Sequence, residues 1–223
     1  MPLAGKGMLL TSMDIDASDE TDFNRWYDRE HLEERVAIDG FLEARRYLAH
    51  SAKPKYLCLY STRTIEVLDS PAYRTKLANP TDWSKRTMAK FKNMIRAVAR
   101  ITISRGTGRG AALGIVRLRP EGNTDALRQT LQTRLDPKDL DGIISMHLLE
   151  SDAKLCGPTK ELPAAGDGAR DWFVLIDGTS VSTVSSVLAA RFIGNAAPEG
   201  AMQISSGIYE LMWDLAKGDI AIA

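Results

Sequence analysis

Two spacings of hydrophobic residues alternate along the chain. Short runs in which apolar and polar residues alternate predict half-buried strands, and longer runs with apolar residues every three or four positions predict amphipathic helices. The predicted strands are Gly7–Ile15, Phe41–His50, Lys55–Arg63, Met94–Ser104, Gly110–Leu118, Ile143–Glu150, Asp171–Asp177 and Ala201–Trp213. The predicted helices are Asp19–Val36, Thr64–Leu77 with an interruption at Ser70-Pro71, Thr81–Phe91, Thr124–Leu135 and Ser180–Phe192.

The order β-α-β-β-α-β therefore occurs twice, with matching register in the first part of each copy. Ile38-Asp39-Gly40 and Leu140-Asp141-Gly142 precede corresponding strands, and 140 − 38 gives a spacing of 102 residues. This order is that of the ferredoxin-like arrangement, a four-stranded antiparallel sheet with helices on one face. We predict an α+β protein of two such repeats, residues 1–105 and 109–223, packed sheet to sheet as a barrel.

Alternation within the strands predicts what each face of a sheet carries. Ile95, Ala97 and Ala99 form an apolar face suited to helices, whereas tyrosines and arginines gather on an amphipathic face. We expect the amphipathic faces of the two sheets to meet inside the barrel. Arg45 and Arg46 are neighbours on one strand and point in opposite directions, and the pattern leaves open which of them faces inward.

Composition and charge restrict the class of protein. The 223 residues include 29 Lys and Arg and 29 Asp and Glu, so the formal net charge is zero. That balance argues against a nucleic-acid partner. No apolar run reaches the length of a membrane span and the first residues do not resemble a signal peptide, so we expect a cytoplasmic protein with no membrane partner.

Several chemistries lack their sequence motifs. The chain has no GxSxG nucleophile elbow and no P-loop, and the glycines at 106–110 lack the strand and helix of a dinucleotide site. Two cysteines cannot form a disulfide framework. Asp28 and His31 alone share a helix face in the right spacing for a metal, so neither a metal nor any other cofactor is predicted.

One helix carries the main candidate for chemistry. His31 follows Tyr27 by four residues and Asp28 by three, and Trp26 lies beside this stripe. A carboxylate one helical turn away raises the pKa of a histidine and fixes its tautomer, which suits proton transfer. The competing interpretation is a structural histidine that is hydrogen-bonded to Asp28.

The succession of residues in the first half resembles a known superfamily. It consists of Trp26-Tyr27-Asp28-Arg29-Glu30-His31, Ile38-Asp39-Gly40-Phe41, Pro54-Lys55-Tyr56-Leu57 and Ser70-Pro71-Ala72-Tyr73. It is similar to the dimeric α+β barrel superfamily, in particular its EthD-like and related uncharacterised bacterial branches. The resemblance implies a barrel and a homodimer. The superfamily includes cofactor-free monooxygenases, cyclases, isomerases and haem-handling enzymes, so it does not select an activity.

Two hypotheses for the function follow. In the first, a cofactor-independent lyase, isomerase, cyclase or oxygenase transfers protons on an aromatic or polyketide-like small molecule. The assigned residues are, as catalytic groups, His31 (acid or base), Asp28 (orienting His31) and Arg46 with Tyr60 (stabilising an oxyanion), and, as substrate contacts, Tyr27, Tyr47, Trp26 and Trp83. In the second, the barrel binds a small ligand or has a structural role without catalysis.

Overall fold

The computed structural model describes residues 3–157 and 168–220. Within them lie eight strands, which are β1 (Gly7–Asp14), β2 (Phe41–Ser51), β3 (Tyr56–Thr62), β4 (Lys92–Gly106), β5 (Ala112–Pro120), β6 (Ile143–Ser151), β7 (Trp172–Gly178) and β8 (Ala201–Ala216). The α-helices are α1 (Glu20–Trp26), α2 (Leu32–Val36), α3 (Pro71–Ala78), α4 (Asp82–Met88), α5 (Thr124–Arg134) and α6 (Val181–Phe192). A π-helical turn, Tyr27–His31, joins α1 to α2 without a break.

Side-chain caps set the starts of several helices. A side-chain oxygen accepts a backbone N–H of the first turn at Ser70, Thr81, Asn123 and Ser180. The helical stretch predicted over Thr64–Leu77, with its interruption at Ser70-Pro71, is a 3₁₀ turn, Ile65–Asp69, followed by α3. The reason is local: a residue before proline avoids the helical region, and Ser70 is extended and caps the new helix.

The strands close into one antiparallel barrel in the order β1-β3-β2-β8-β5-β7-β6-β4. Each half contributes four neighbouring strands, β4-β1-β3-β2 and β8-β5-β7-β6. Hydrogen-bonded pairs β2–β8 and β4–β6 join the halves. This arrangement confirms the α+β class and the barrel. Because the sheet closes within one chain, a second copy is not needed to complete it.

In β3 and β4 the faces of the first-half sheet are used in the opposite way to the prediction, whereas in β2 Tyr47 does lie in the interior. Leu57, Leu59, Ala97 and Ala99 pack with residues of β5, β6 and β7 in the interior of the barrel. Tyr56, Cys58 and Tyr60 pack outward with α1 and α2. The interior of an eight-stranded barrel is just wide enough for its own side chains to fill it. Here small aliphatic groups of β3 and β4 fill it together with larger rings such as Phe173 and Tyr209.

The structure shows which of the neighbouring residues Arg45 and Arg46 faces the barrel interior. Arg45 lies in the interior with Glu43, whose Oε1 is 2.8 Å from Arg45 Nη2, and with Asp177 Oδ1 at 3.8 Å from Nη1. Arg46 lies on the outer face, beneath α1. The interior is therefore apolar along most of its length and charged near this group.

No helix in the described ranges, 3–157 and 168–220, is long and apolar enough to span a bilayer.

A glycine at the junction of β5 and β7 provides a test of this packing. A Cβ on Gly110 would lie 1.9 Å from the carbonyl oxygen of Gly178, an atom of the backbone that cannot move aside without disturbing the strand. We expect Gly110→Ala to lower the free energy of unfolding by about 1–3 kcal/mol in urea denaturation. Gly218→Ala is the matched control, since no described atom outside its neighbours lies within 4 Å of the added group. Equal stability of the two variants would contradict this packing.

Candidate functional site

A cavity of about 500 Å³ lies between the helices of the first half and the outer face of the sheet. Its floor is formed by residues of β1, β3 and β4, and its walls by residues of α1 to α4 and the π-helical turn. The lining residues are Leu9, Thr11, Met13, Trp26, Tyr27, His31, Arg35, Tyr60, Tyr73, Leu77, Ala78, Pro80, Lys85, Met88, Ala89, Phe91, Met94 and Arg96. Aromatic and aliphatic side chains dominate this set, as is usual for small-molecule sites.

The π-helical turn places the two most distinctive lining side chains together. In an α-helix, residues five apart point in different directions, but here the N–H of Leu32 donates to the carbonyl of Tyr27, five residues earlier. As a result the rings of Trp26 and His31 stack, with centroids 4.0 Å apart and an interplanar angle of 28°. Trp26 Nε1 lies 3.1 Å from both Glu30 Oε1 and Ser84 Oγ, which fixes the indole.

His31 is buried, and its imidazole forms no ion pair with any residue that the structure describes. Burial lowers its pKa well below the usual value, and the nearby positive charges of Arg35 and Arg46 lower it further. Its Nδ1 is buried without a hydrogen-bond partner among the described residues. The imidazole is therefore neutral at pH 7, and the predicted increase in its pKa was wrong.

Asp28 does not pair with His31, which corrects the predicted orienting role. Its Oδ1 lies 3.0 Å from Arg46 Nη1 and 3.0 Å from Trp213 Nε1. The prediction assumed α-helical spacing, in which residues three apart share a face. The wider π-helical turn rotates Asp28 away from His31.

Arg46 is fully buried but does not line the cavity. Besides Asp28, it bonds to Asn24 Oδ1 at 2.5 Å, and its guanidinium lies 4.3 Å from the centre of the Tyr27 ring. Cation–π contacts of this kind and the ion pair compensate its charge. Arg46 therefore fixes Tyr27 against the sheet from behind the cavity.

Tyr60 lines the cavity floor opposite His31. Its ring meets the His31 ring edge-on, with centroids 6.3 Å apart. Burial raises the pKa of Tyr60 well above its usual value, so the phenol stays protonated, and its hydroxyl has no hydrogen-bond partner among the described residues. Thr11 Oγ1, on the neighbouring strand, is likewise buried and unpartnered there.

The remaining predicted contacts are divided between the cavity and other parts of the fold. Trp26 and Tyr27 line the cavity, as does His31. Tyr47 lies on the other side of the sheet, in the apolar interior of the barrel. Trp83 packs beside the helices and donates from Nε1 to Asp22 Oδ2 at 3.3 Å, outside the lining.

Sequence reasoning did not identify the basic residues of the cavity. Arg35, Lys85 and Arg96 all line it. Arg35 had a usable signal, since it follows His31 by four residues and shares its face where the helix is α-helical again. Arg96 had none, because its outward direction depends on which face of β4 enters the barrel.

No arrangement of three or more histidine, cysteine or acidic side chains suited to a metal ion is found in the part of the chain that the structure describes. The candidate site therefore consists of one neutral imidazole, unpartnered hydroxyl groups, basic side chains and aromatic walls.

Comparisons with known proteins define the fold. No protein-family model matches the chain. No curated protein sequence matches it either. Among solved structures, an anthrone oxidase-like protein is 11% identical with a TM-score of 0.64, over 98% of this chain and 96% of that one. A proposed monooxygenase from Fusobacterium nucleatum is 7% identical with a TM-score of 0.55, over 96% and 95%.

A third similar structure is an encapsulated DyP-type peroxidase from Mycobacterium smegmatis, 9% identical with a TM-score of 0.55, over 97% of this chain and 94% of that one. The protein thus has the dimeric α+β barrel fold. Identities this low establish the fold alone, and the names of the similar structures cover more than one chemistry.

The low pKa of His31 predicts a specific loss of stability in acid. Below the ordinary value of 6.5 the unfolded chain binds a proton that folded His31 does not, so unfolding becomes easier as pH falls. We expect His31→Gln to reduce the decline in unfolding free energy between about pH 6.5 and 5 by up to about 1.4 kcal/mol per pH unit. Urea denaturation at a series of pH values measures it.

His50→Gln is the control for this experiment, because the His50 side chain is 47% exposed and lies on β2 away from the cavity. Wild type and His31→Gln showing parallel declines would contradict the lowered pKa. Burial also lowers the pKa of His147, so some decline is expected to remain in every variant that retains that residue.

Proposed function

We propose that the protein is a small-molecule enzyme of the oxygenase type, in which His31 removes a proton from an aromatic or polyketide-like substrate. The observation that carries this proposal is a neutral, unpartnered imidazole lining an aromatic-walled cavity of about 500 Å³. The names of two similar structures, an anthrone oxidase-like protein and a proposed monooxygenase, support oxygenase chemistry.

His31 has the properties of a general base. A base must be unprotonated at the working pH, and burial beside Arg35 and Arg46 keeps the imidazole in that form. Stacking on Trp26 limits the ring to one orientation, so the proton is accepted at a defined place. Proton transfer by a positioned base of this kind contributes about 10²–10⁴-fold to a rate.

Tyr60 is the proposed donor to the oxygen on which negative charge develops. Its phenol is protonated, unpartnered and on the cavity floor, as a donor to an enolate or phenolate oxygen requires. In this proposal Arg46 and Asp28 are positioning residues, because they hold Tyr27 and the π-helical turn rather than reach the cavity.

The proposed reaction converts an activated methylene group to a carbonyl group. His31 takes one proton from the carbon atom, and the resulting carbanion, delocalised onto the oxygen at Tyr60, reduces molecular oxygen. Overall, CH₂ and O₂ give C=O and H₂O, so one oxygen atom enters the product and the other leaves as water. The substrate supplies the electrons, and for this reason we propose that no bound cofactor takes part.

A non-catalytic ligand-binding protein is the second candidate. The observation that favours it is the number of unpartnered polar atoms in the cavity, which a bound molecule would satisfy without any reaction. The two candidates differ in the role of His31. In the ligand-binding protein, replacing His31 would weaken ligand binding, and there would be no reaction rate to lower.

Anthrone is a suitable probe substrate, because its methylene group is flanked by two aromatic rings and conjugated with a carbonyl group. We expect purified protein, without an absorption band above 300 nm from a bound cofactor, to accelerate oxygen uptake and anthraquinone formation from anthrone. His31→Ala is expected to lower kcat by at least about 10²-fold, and Tyr60→Phe by about 10-fold or more.

His50→Ala is expected to leave the rate unchanged, and circular dichroism checks that each variant is folded. Full activity of His31→Ala would refute the assigned base. Binding of anthrone without any acceleration over the uncatalysed oxidation would favour the ligand-binding protein.

A further inference from the structure

Arg35 is the one buried arginine of the described residues that has neither an ion pair nor a hydrogen bond. It is 4% exposed, lines the cavity, and makes no hydrogen bond or ion pair with a described residue. The other buried arginines have partners: Arg45 with Glu43, Arg46 with Asp28, Arg96 with the carbonyl of Leu155 and Arg117 with Asp171.

The walls around Arg35 carry charge of one sign. Lys85 and Arg96 line the same cavity, and no Asp or Glu is among the described lining residues. Lys85 pairs with Asp82, which is exposed and is not among the lining residues of the cavity. Glu30 Oε1 accepts hydrogen bonds from Trp26, Ser84 and Thr81. An anion in the cavity would therefore be attracted by these basic side chains, and no carboxylate among the described lining residues would repel it.

A buried, unpaired guanidinium is costly, because it loses its hydration and gains nothing in exchange. A ligand that supplies a negative charge at this place would offset the cost of burying the guanidinium group. The planar guanidinium group of an arginine can donate two parallel hydrogen bonds to the two oxygen atoms of a carboxylate. An anion with a single acceptor atom cannot accept both bonds in this way.

We propose that Arg35 anchors the carboxylate of an aromatic carboxylic acid whose ring lies against Trp26 and Tyr27. The unpartnered hydroxyl group of Thr11 is a further available donor to the carboxylate, and the apolar walls suit the ring to which the carboxylate is attached. This inference deepens the proposed function, on which it rests for the identity of the cavity, by adding a carboxylate to the aromatic substrate. Anthrone carries the reacting methylene group without that anchor.

The test compares 2-naphthoate with 2-naphthamide, which has nearly the same shape and no charge. Isothermal titration calorimetry at pH 7 is expected to give wild-type protein a Kd for naphthoate at least about 10-fold lower than for naphthamide. Arg35→Met should weaken naphthoate binding by about 10-fold or more and leave naphthamide binding within about twofold.

Arg29→Met is the matched control, because Arg29 is exposed in the adjacent π-helical turn and the substitution changes net charge equally. It should change neither Kd. Arg35→Lys retains the charge and loses the fork, so it should weaken naphthoate binding less than Arg35→Met does. In the absence of ligand, Arg35→Met should melt at a higher temperature than wild type, since it removes the uncompensated charge.

Equal wild-type affinity for the two ligands, or equal losses in Arg29→Met and Arg35→Met, would overturn the anchor while leaving the cavity and the anthrone reaction to stand. Binding of neither ligand at millimolar concentration would overturn the anchor and the cavity as a ligand site together. If Arg35→Met does not fold, the comparison of Arg35→Lys with wild type decides: unchanged naphthoate affinity contradicts the two-bond anchor.

Discussion

The constraint on which this site depends is the burial of two guanidinium groups in one layer between helix and sheet. Arg46 is compensated by Asp28, Asn24 and the ring of Tyr27, and it becomes part of the packed core. Arg35 has no such compensation, and its charge acts on whatever lies in the cavity. The neutral state of His31 follows from its burial, which lowers its pKa, and from this arrangement, because protonation would add a third positive charge beside two buried cations.

The π-helical turn connects this electrostatic arrangement with the shape of the site. By adding a residue to one turn, it stacks His31 on Trp26 and directs Asp28 toward Arg46 instead of toward the imidazole. Because of this turn, the carboxylate of Asp28 pairs with Arg46 and not with His31. In a regular α-helix the spacing of the same residues would favour pairing of His31 with Asp28, which would raise the histidine pKa and leave Arg46 without its ion pair.

The sequence was sufficient for the order of elements and the barrel, because alternation and helix caps are local signals. It also identified Trp26, Tyr27, His31 and Tyr60 as candidates, all of which line the cavity. It was insufficient for the direction of the strands' faces, since alternation defines two sets of side chains without saying which set enters the barrel. The pairing of Asp28 was missed because the π-helical turn has no sequence signature in the spacing of these residues.

The most direct test of the account is the pKa of the His31 imidazole, measured by NMR in the free protein and in the protein saturated with 2-naphthoate. Burial beside two positive charges predicts a pKa below 6.5 in the free protein and a higher one with the carboxylate bound, since a nearby anion favours the imidazolium form. A free-protein pKa at or above 6.5, unchanged by the ligand, would contradict both the neutral base and the cationic cavity.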